Sequence, residues 1–590
     1  MTTKQTRLTF FYVALLFISY GVVLFYPFLT SRDVSITNKW DGPAAMGFIR
    51  SFNEDMMLEG PRILLGDTYQ PRSSGITPSD VQVPTNTFWR ISYALAGKLV
   101  APENILDLLT CIGFIFTGIA SFLLMRYLKA PPLILVTGTL LLAFLQPLQR
   151  IIPGHLGLGL YFMPLLTIVA CMYAAERKTF LSLVIFVCVL VANFLWNEYY
   201  GFFGFIFCGL VFIGFYFSNT TPSFPRHTRT VSFLAAAVLF VILMAAFYPS
   251  TIGQRLVSLM SVTHEAGMLA TGRDWNDFLR HSNIAPGTLY SLTPIFSKSE
   301  KSLYGIGFWL PFFVIFFLCT LIAKPAGSGR FRSLARYAVV VGAITIIALF
   351  GISATHPLSL AHVTYKVAPY LRCGDRALLY FTLGALLIFF LISIELWRRF
   401  EHEPGRARYV FPVVYLAAFM LVANDMKIER PFFFPQLQLE GGQTYRPLNS
   451  LGYGLLVELP FGTDDEFYNY HYLHHYTFHG KPMLNCWTFP EPAATKLRGV
   501  AKILNPMNEE SVEWLKQHNI RYVVVNKPEA GDPLYFLHSG GLKRLYEDSE
   551  RAVFETQNIE PGNISLLKAY FAGTMLFPKQ FDAEHETSSN

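Results

Sequence analysis

The chain has 590 residues, of which 52% are hydrophobic and only 15% charged, with 54 Phe and 30 Tyr and a mean hydropathy of +0.37. Soluble domains are about a quarter charged, so this composition excludes a string of soluble domains and points to a polytopic membrane protein, its aromatic rings suited to lipid-facing and interfacial positions. The net charge of +7 does not make nucleic acid a partner, because no basic block is interleaved with aromatics on a soluble face.

Lys4 and Arg7 precede an apolar run at 8–29. It is longer than a signal-peptide core and no small-residue cleavage pattern follows, so it reads as a retained first span. A helix needs about 20 apolar residues to cross the hydrocarbon core, and further runs of that order lie near 105–125, 131–148, 157–174, 180–196, 200–217, 231–248, 304–323, 337–353, 377–396 and 409–424. That makes eleven expected transmembrane helices. With the N-terminus inside, the inside segments 1–7, 126–130, 175–179, 218–230, 324–336 and 397–408 hold sixteen Lys plus Arg against three acids. Lysine and arginine mark the cytoplasmic side. An odd number of spans then places the C-terminal region outside, where the longer connections also fall. Loops on the elaborated face are where function is sought.

Five cysteines (Cys111, Cys171, Cys188, Cys208 and Cys319) fall in apolar runs and read as small hydrophobes. Cys373 and Cys486 are in polar segments, and a pair between them requires both to face an oxidising compartment. No Cys/His zinc spacing occurs.

The first outer loop contains KWDGPAAMGFIRSFNEDMMLEGP, with Ala45, Phe48, Ile49, Phe52 and Met56 on one helical face. Such a helix would lie along the membrane interface with its polar side, Arg50 included, in the headgroups. Asp41 precedes Gly42-Pro43 at its start, where it is either a helix cap or a catalytic carboxylate. Arg150 and His155, in LQRIIPGHLGLGLYF, sit in an outside connection between the third and fourth spans; His155 is either a simple hydrogen-bonding residue or part of a wet cavity. Glu198, in the tight NEYY turn between the fifth and sixth spans, is a carboxylate beside lipid and should face a polar cavity. Tyr199 and Tyr200 beside it also suit interface aromatics. In PYLRCGDRALLYF, Arg372 and Arg376 are four apart and would share a face if the helix starts early. Two guanidiniums there suit a phosphate, or else pair with Asp375 or lipid headgroups.

The region 425–590 reads as an appended α/β domain, with strands in GLLVELPF and RYVVVNK, a helix in NEESVEWLKQHN, and two short strands in LKRLYEDSERAVFETQ. HYLHHYTFHGKP carries His471, His474, His475 and His479. It lacks the HExxH pattern, and interleaved Tyr and Phe suggest packing rather than metal. No cofactor is assigned, although a divalent metal remains open. The end beyond Glu584 is expected to be disordered.

Taken together, WDGPAAMGFIRSF, PGHLGLGLYFMPLL, NEYYGFF, EKSLYGIGFWLPF, PYLRCGDR and ELPF with YTFHGKPMLNCWT and IRYVVVN, in this order, resemble bacterial multipass proteins of the GT-C glycosyltransferase type, especially the YfhO-like group. The resemblance covers most of the chain. It departs at Asp41, which is followed by Gly42 where many such enzymes have adjacent carboxylates. The resemblance implies an all-α polytopic GT-C-like membrane domain over 1–424, including the outer loop 30–104, and a C-terminal extracytoplasmic α/β domain over 425–590. It implies a bacterial inner-membrane enzyme that moves a sugar from a polyprenyl-phosphate carrier to a glycan or lipid acceptor. Asp41 would be the base, Arg372 and Arg376 would meet the lipid phosphate, and Arg150, His155, Glu198 and Tyr199 would line the polar cavity. The competing readings are a transporter or lipid-linked glycan flippase, against which stands the absence of a duplicated half, and a non-catalytic envelope-assembly protein.

Overall fold

Long apolar runs can satisfy their backbone in hydrocarbon only by pairing with themselves, so they fold as helices. The computed structural model describes residues 3–31, 34–35, 49–50, 68–69, 83–84, 87–101, 104–144, 160–218, 226–247, 308–323, 330–351, 359–360, 374–401, 403, 405, 407–426, 437–438, 442–452, 454–461, 472, 475–476, 478–484, 493–527 and 540–558. In chain order come α1 (Thr3–Thr30), β1 (Val34–Ser35), β2 (Thr68–Tyr69), β3 (Val83–Pro84), α2 (Thr87–Ala96), α3 (Ile105–Tyr127), α4 (Pro132–Ala143) and α5 (Phe162–Arg177). Then follow α6 (Phe180–Trp196), α7 (Glu198–Ser218), α8 (Arg226–Phe247), α9 (Trp309–Ala323), α10 (Arg330–Gly351), α11 (Leu378–Glu401) and α12 (Ala407–Asp425). Each apolar run of the sequence falls on one of these helices. Among the described residues five helices are long and apolar enough to cross a bilayer by length and composition: Phe11–Thr30, Ile105–Tyr127, Glu198–Tyr216, Leu378–Glu401 and Arg408–Asp425. Shorter apolar stretches such as Phe180–Trp196 and Trp309–Ile322 accompany them. The protein is a multipass membrane protein.

The chain divides into two units by its internal contacts: Met1–Tyr26, Thr110–Ile152 and Leu156–Phe434 form one, and Pro27–Leu109, Pro153–His155 and Pro435–Asn590 the other. In the helical unit α5 packs on α6 and α7, α7 on α10, α10 on α11, and α11 on α9 and α12. The central member is α11, with 83% of its apolar window buried against 22% for α1 and α12. Val23, Val241 and Val413, on α1, α8 and α12, stay exposed, as outward faces solvated by lipid would be. Local signals set the ends. Thr179 caps α6 through a reciprocal box, its Oγ1 accepting from Ser182 N at 3.2 Å while Ser182 Oγ accepts from Thr179 N at 3.1 Å. Among the described residues the fourth run is helical from Phe162; Tyr161 before it is non-helical, and its hydroxyl donates to Leu142 O at 2.7 Å.

The second unit contains β4 (Leu437–Gln438), α13 (Gly442–Asn449), β5 (Leu455–Leu459), α14 (Ala493–Leu504), α15 (Glu509–Gln517), β6 (Ile520–Asn526), β7 (Leu542–Glu547) and β8 (Arg551–Thr556). Its sheet runs β5-β6-β8-β7, with β5 and β6 parallel and the other pairs antiparallel. A parallel pair needs a crossover, and α14 and α15 lie on it. Asn508 starts α15 with a capping box to Ser511. Leu455, Val457, Val523, Val525 and Phe554 on the strands meet Leu504, Trp514 and Leu515 on the helices in one core. The segment Pro27–Leu109 belongs to this unit: β1 pairs with β4, Val34 opposite Gln438, and buried Asn104 donates to Phe28 O and Ser31 O at 2.8 and 3.1 Å. The strands and helix expected here are all present. Cys373 and Cys486 lie outside the described residues, as does the terminus beyond Glu584.

Candidate functional site

At one end of the helical unit the connection between α6 and α7 is the single residue Asn197, extended at φ −157°. Its Oδ1 accepts from Tyr200 N at 3.2 Å, capping α7. Glu198 and Tyr199 are therefore the first two residues of α7, half-buried, rather than part of a loop as the sequence suggested. A carboxylate in a first turn is favoured by the helix dipole, which accounts for part of Glu198's placement. Just beneath, three buried side-chain and backbone groups lock together. Asn193 Nδ2 donates to Tyr200 O at 3.0 Å and to Tyr380 Oη at 2.7 Å, and Tyr380 Oη donates to Tyr200 O at 3.0 Å. Gly204 permits this approach, since a Cβ there would stand 2.3 Å from Tyr380 Oη.

Tyr380 lies one turn beyond Arg376, which sits in the short 3-10 turn Gly374–Ala377 leading into α11. That turn packs on α7, α10 and α11. Arg376 is half-buried, with Nε and Nη1 shielded from solvent. Trp196 Nε1 donates to Leu160 O at 2.8 Å, bringing the chain that enters α5 to the same end. The Asn193–Tyr200–Tyr380 knot thus holds the Glu198 helix start and the Arg376 turn together. Tyr380→Phe removes only the knot's hydroxyl. It is expected to cost about 1–2 kcal/mol and to speed amide exchange in the 374–380 turn roughly tenfold, with the Val523–Val525 amides as an unchanged control.

The second unit carries a separate buried polar cluster. Glu458, fully buried on β5, accepts from Tyr445 Oη at 2.7 Å and faces His475 Nδ1 at 3.0 Å. Asn526 Nδ2 reaches its Oε2 at 3.4 Å, and Arg551 Nε donates to Asn526 Oδ1 at 2.8 Å. The Arg551 guanidinium also lies over the Tyr445 ring at 5.3 Å, and His475 stacks on that ring at 4.3 Å. Burial, with Glu458 beside it, pushes the Tyr445 hydroxyl well above its ordinary value. His479, 1% exposed, accepts from Lys481 N at Nδ1, 2.9 Å. Burial first, then His475, Arg50 and Lys481, hold its pKa well below the usual histidine value, so it stays neutral. Arg50, which the sequence placed toward headgroups, instead donates to Tyr476 O at 3.3 Å and lies over the Tyr476 ring. His475 and His479 are thus accounted for by packing and hydrogen bonds; among the described residues no group of three or more His, Cys, Asp or Glu could hold a metal.

No family profile and no curated protein matches the sequence itself. Solved structures do match. The crystal structure of the Archaeoglobus fulgidus oligosaccharyltransferase, in its apo form, aligns over 94% of this chain and 75% of its own at 12% identity, with a TM-score of 0.51. A cryo-EM structure of a mutant form of the arabinofuranosyltransferase AftD from Mycobacteria aligns over 93% of this chain at 11% identity, with a TM-score of 0.52. The chain spans about two-fifths of that protein, 41% of its length. The fold is GT-C-type. At these identities the likeness is one of fold.

Of the residues expected at the site of this GT-C-type fold, Glu198, Tyr199 and Arg376 fall on adjoining elements at one end of the helical unit. Asp41, Arg150, His155 and Arg372 lie outside the described residues. Sequence reasoning missed Asn193 and Tyr380, which hold the turn, and Glu458. A lone amide inside the apolar run of α6, and a lone carboxylate inside an apolar strand, were the available signals, because a polar group in such a place must be hydrogen-bonded.

Proposed function

We propose that the protein is a membrane glycosyltransferase that moves a sugar from a polyprenyl-phosphate donor to an envelope glycan or lipid acceptor on the extracytoplasmic face of a bacterial inner membrane. The observation that carries this reading is the Arg376 turn packed against the start of the Glu198 helix in a GT-C-type fold. The two solved structures named above are glycosyltransferases by name, and the order of sequence motifs supports the YfhO-like group within that class. The Lys/Arg excess in the inside loops supports a cytoplasmic N-terminus and an extracytoplasmic C-terminal unit.

In this reaction an acceptor hydroxyl oxygen attacks the anomeric carbon as the bond from that carbon to the carrier phosphate oxygen breaks. The hydroxyl proton goes to a base, and the bonding electrons leave on the phosphate. A hydroxyl is a poor nucleophile at neutral pH and needs a carboxylate within hydrogen-bond reach; Asp41 takes that role. The departing lipid phosphate is already anionic and needs charge stabilisation more than a proton, which Arg372 and Arg376 supply. Glu198 and Tyr199, with Arg150 and His155, keep the site polar and bind hydroxyls of the two substrates.

Purified protein supplied with a panel of polyprenyl-phosphate sugars and candidate acceptors is expected to release the free carrier. Carrier movement across vesicles without turnover would instead make it a flippase, and neither activity would leave a non-catalytic assembly role. Arg376→Gln should weaken donor binding at least tenfold more than acceptor binding, as loss of a charge-assisted contact to phosphate does. Equal loss for both substrates would mark Arg376 as structural.

A further inference from the structure

A polar cavity lies at the end of the helical unit away from Glu198 and Arg376. It encloses about 230 Å³ among the last turns of α3, α5, α7 and α11 and the second turn of α10. From Glu198 to Phe215 along α7, and from Leu378 to Arg398 along α11, a rise of 1.5 Å per residue gives roughly 25–30 Å. That is about the thickness of the hydrocarbon core, so the cavity belongs to the leaflet opposite the Glu198 and Arg376 end.

The lining is divided by chemistry. Leu128, Met172, Leu391 and Ile394 make an apolar wall, and Lys129, Arg336 and Arg398 supply cations. The two carboxylates present are already engaged: Glu176 accepts from the Tyr127 hydroxyl, and Glu395 from Arg399 Nε and Nη2 at 3.3 and 3.2 Å. Arg336 is fixed over the Phe215 ring at 5.6 Å with Nε shielded from solvent. Arg398 Nη2 donates to the backbone O of Lys129 at 3.4 Å, tying the Arg398 guanidinium to the end of α3. A preorganised guanidinium with two neighbouring cations recognises phosphate oxygens. An apolar wall next to them selects a phosphate carried on a hydrocarbon body over a free anion.

We propose that this cavity binds the phosphate headgroup of an anionic glycerophospholipid from the leaflet opposite the proposed active site. Basic recesses between transmembrane helices attract such lipids through local charge rather than through any particular fold. The site would tie the ends of α3, α5, α7, α10 and α11 to a lipid, steadying the helices whose far ends carry Glu198 and Arg376. It does not depend on which reaction those residues perform.

The test is direct titration of the purified full-length protein with dihexanoylphosphatidylglycerol, dihexanoylphosphatidylcholine and inorganic phosphate. Saturable binding is expected for the first, binding at least tenfold weaker for the second, whose quaternary ammonium meets the same cations, and no saturation with phosphate. Arg336→Gln should weaken phosphatidylglycerol at least tenfold while Arg336→Lys restores part of it. Because Arg336 packs on Phe215, the exposed pair Lys129→Gln with Arg398→Gln gives a second reading that does not disturb packing, and the same tenfold loss is expected. Unchanged binding in that double variant, equal affinity for the two lipids, or inorganic phosphate binding as tightly as the lipid would each overturn the proposal.

Discussion

Glu458→Ala is expected to destabilise the second unit by about 3–5 kcal/mol, the range seen when one partner of a buried charged network is removed. The carboxylate is fully buried, so no solvent is at hand to soften the loss. Without it the Tyr445 hydroxyl and Asn526 Nδ2 each lose an acceptor, and buried Arg551 loses the negative charge that Asn526 relays to it. Hydrogen exchange of the full-length protein reads this directly, since β6 pairs with β5 along Leu456 to Leu459. Protection at Val523, Val524 and Val525 should fall roughly a hundredfold or more, while the helical unit changes little. Glu458→Gln, which keeps the shape and one acceptor oxygen, should lose less. Protection within about threefold of wild type in the alanine variant would mean that the cluster is not what holds β5 to its neighbours.

The contrast between these two polar sites explains what could be read from the chain beforehand. Helices in the apolar unit were legible because hydrocarbon leaves no alternative to a self-paired backbone, and 180–196 and 105–125 fall almost to the residue on α6 and α3. The strands of GLLVELPF and RYVVVNK were legible because both are short, mostly apolar runs of strand length, buried on nearly every residue. Glu198 was found for a related reason, since a carboxylate between two apolar runs is expensive wherever it sits. The same logic would have found Glu458, but the strand pattern around it dominated the reading. Asn193, Tyr380 and Gly204 could not be paired from sequence, because Asn193 and Tyr380 are 187 positions apart and only the packing of α6, α7 and α11 brings them together. Arg50 was misplaced because amphipathicity says which face of a helix is polar, and not whether water, lipid or another part of the protein covers it.

Asp41→Asn should reduce carrier release by roughly 10²–10⁴-fold, the range supplied by a positioned general base, with expression, membrane insertion and donor binding unchanged. This substitution separates the two readings of the residue more cleanly than alanine would. Asparagine caps a helix about as well as aspartate, whereas alanine at an N-cap costs about 1 kcal/mol. If Asp41 only caps the helix that the sequence predicts after Gly42-Pro43, the asparagine variant keeps nearly full activity and the alanine variant loses stability. If it is the base, the amide cannot take the hydroxyl proton at any pH near neutrality, and both variants are inactive although asparagine leaves the fold intact. The loss must also appear in kcat and not in the donor KM, because the proton is transferred only as the sugar is. Single-turnover release of the polyprenyl phosphate measures this without waiting on product dissociation, and activity within about threefold of wild type in the asparagine variant would remove Asp41 from the chemistry and leave the base to be sought among the other polar residues of the outer loops.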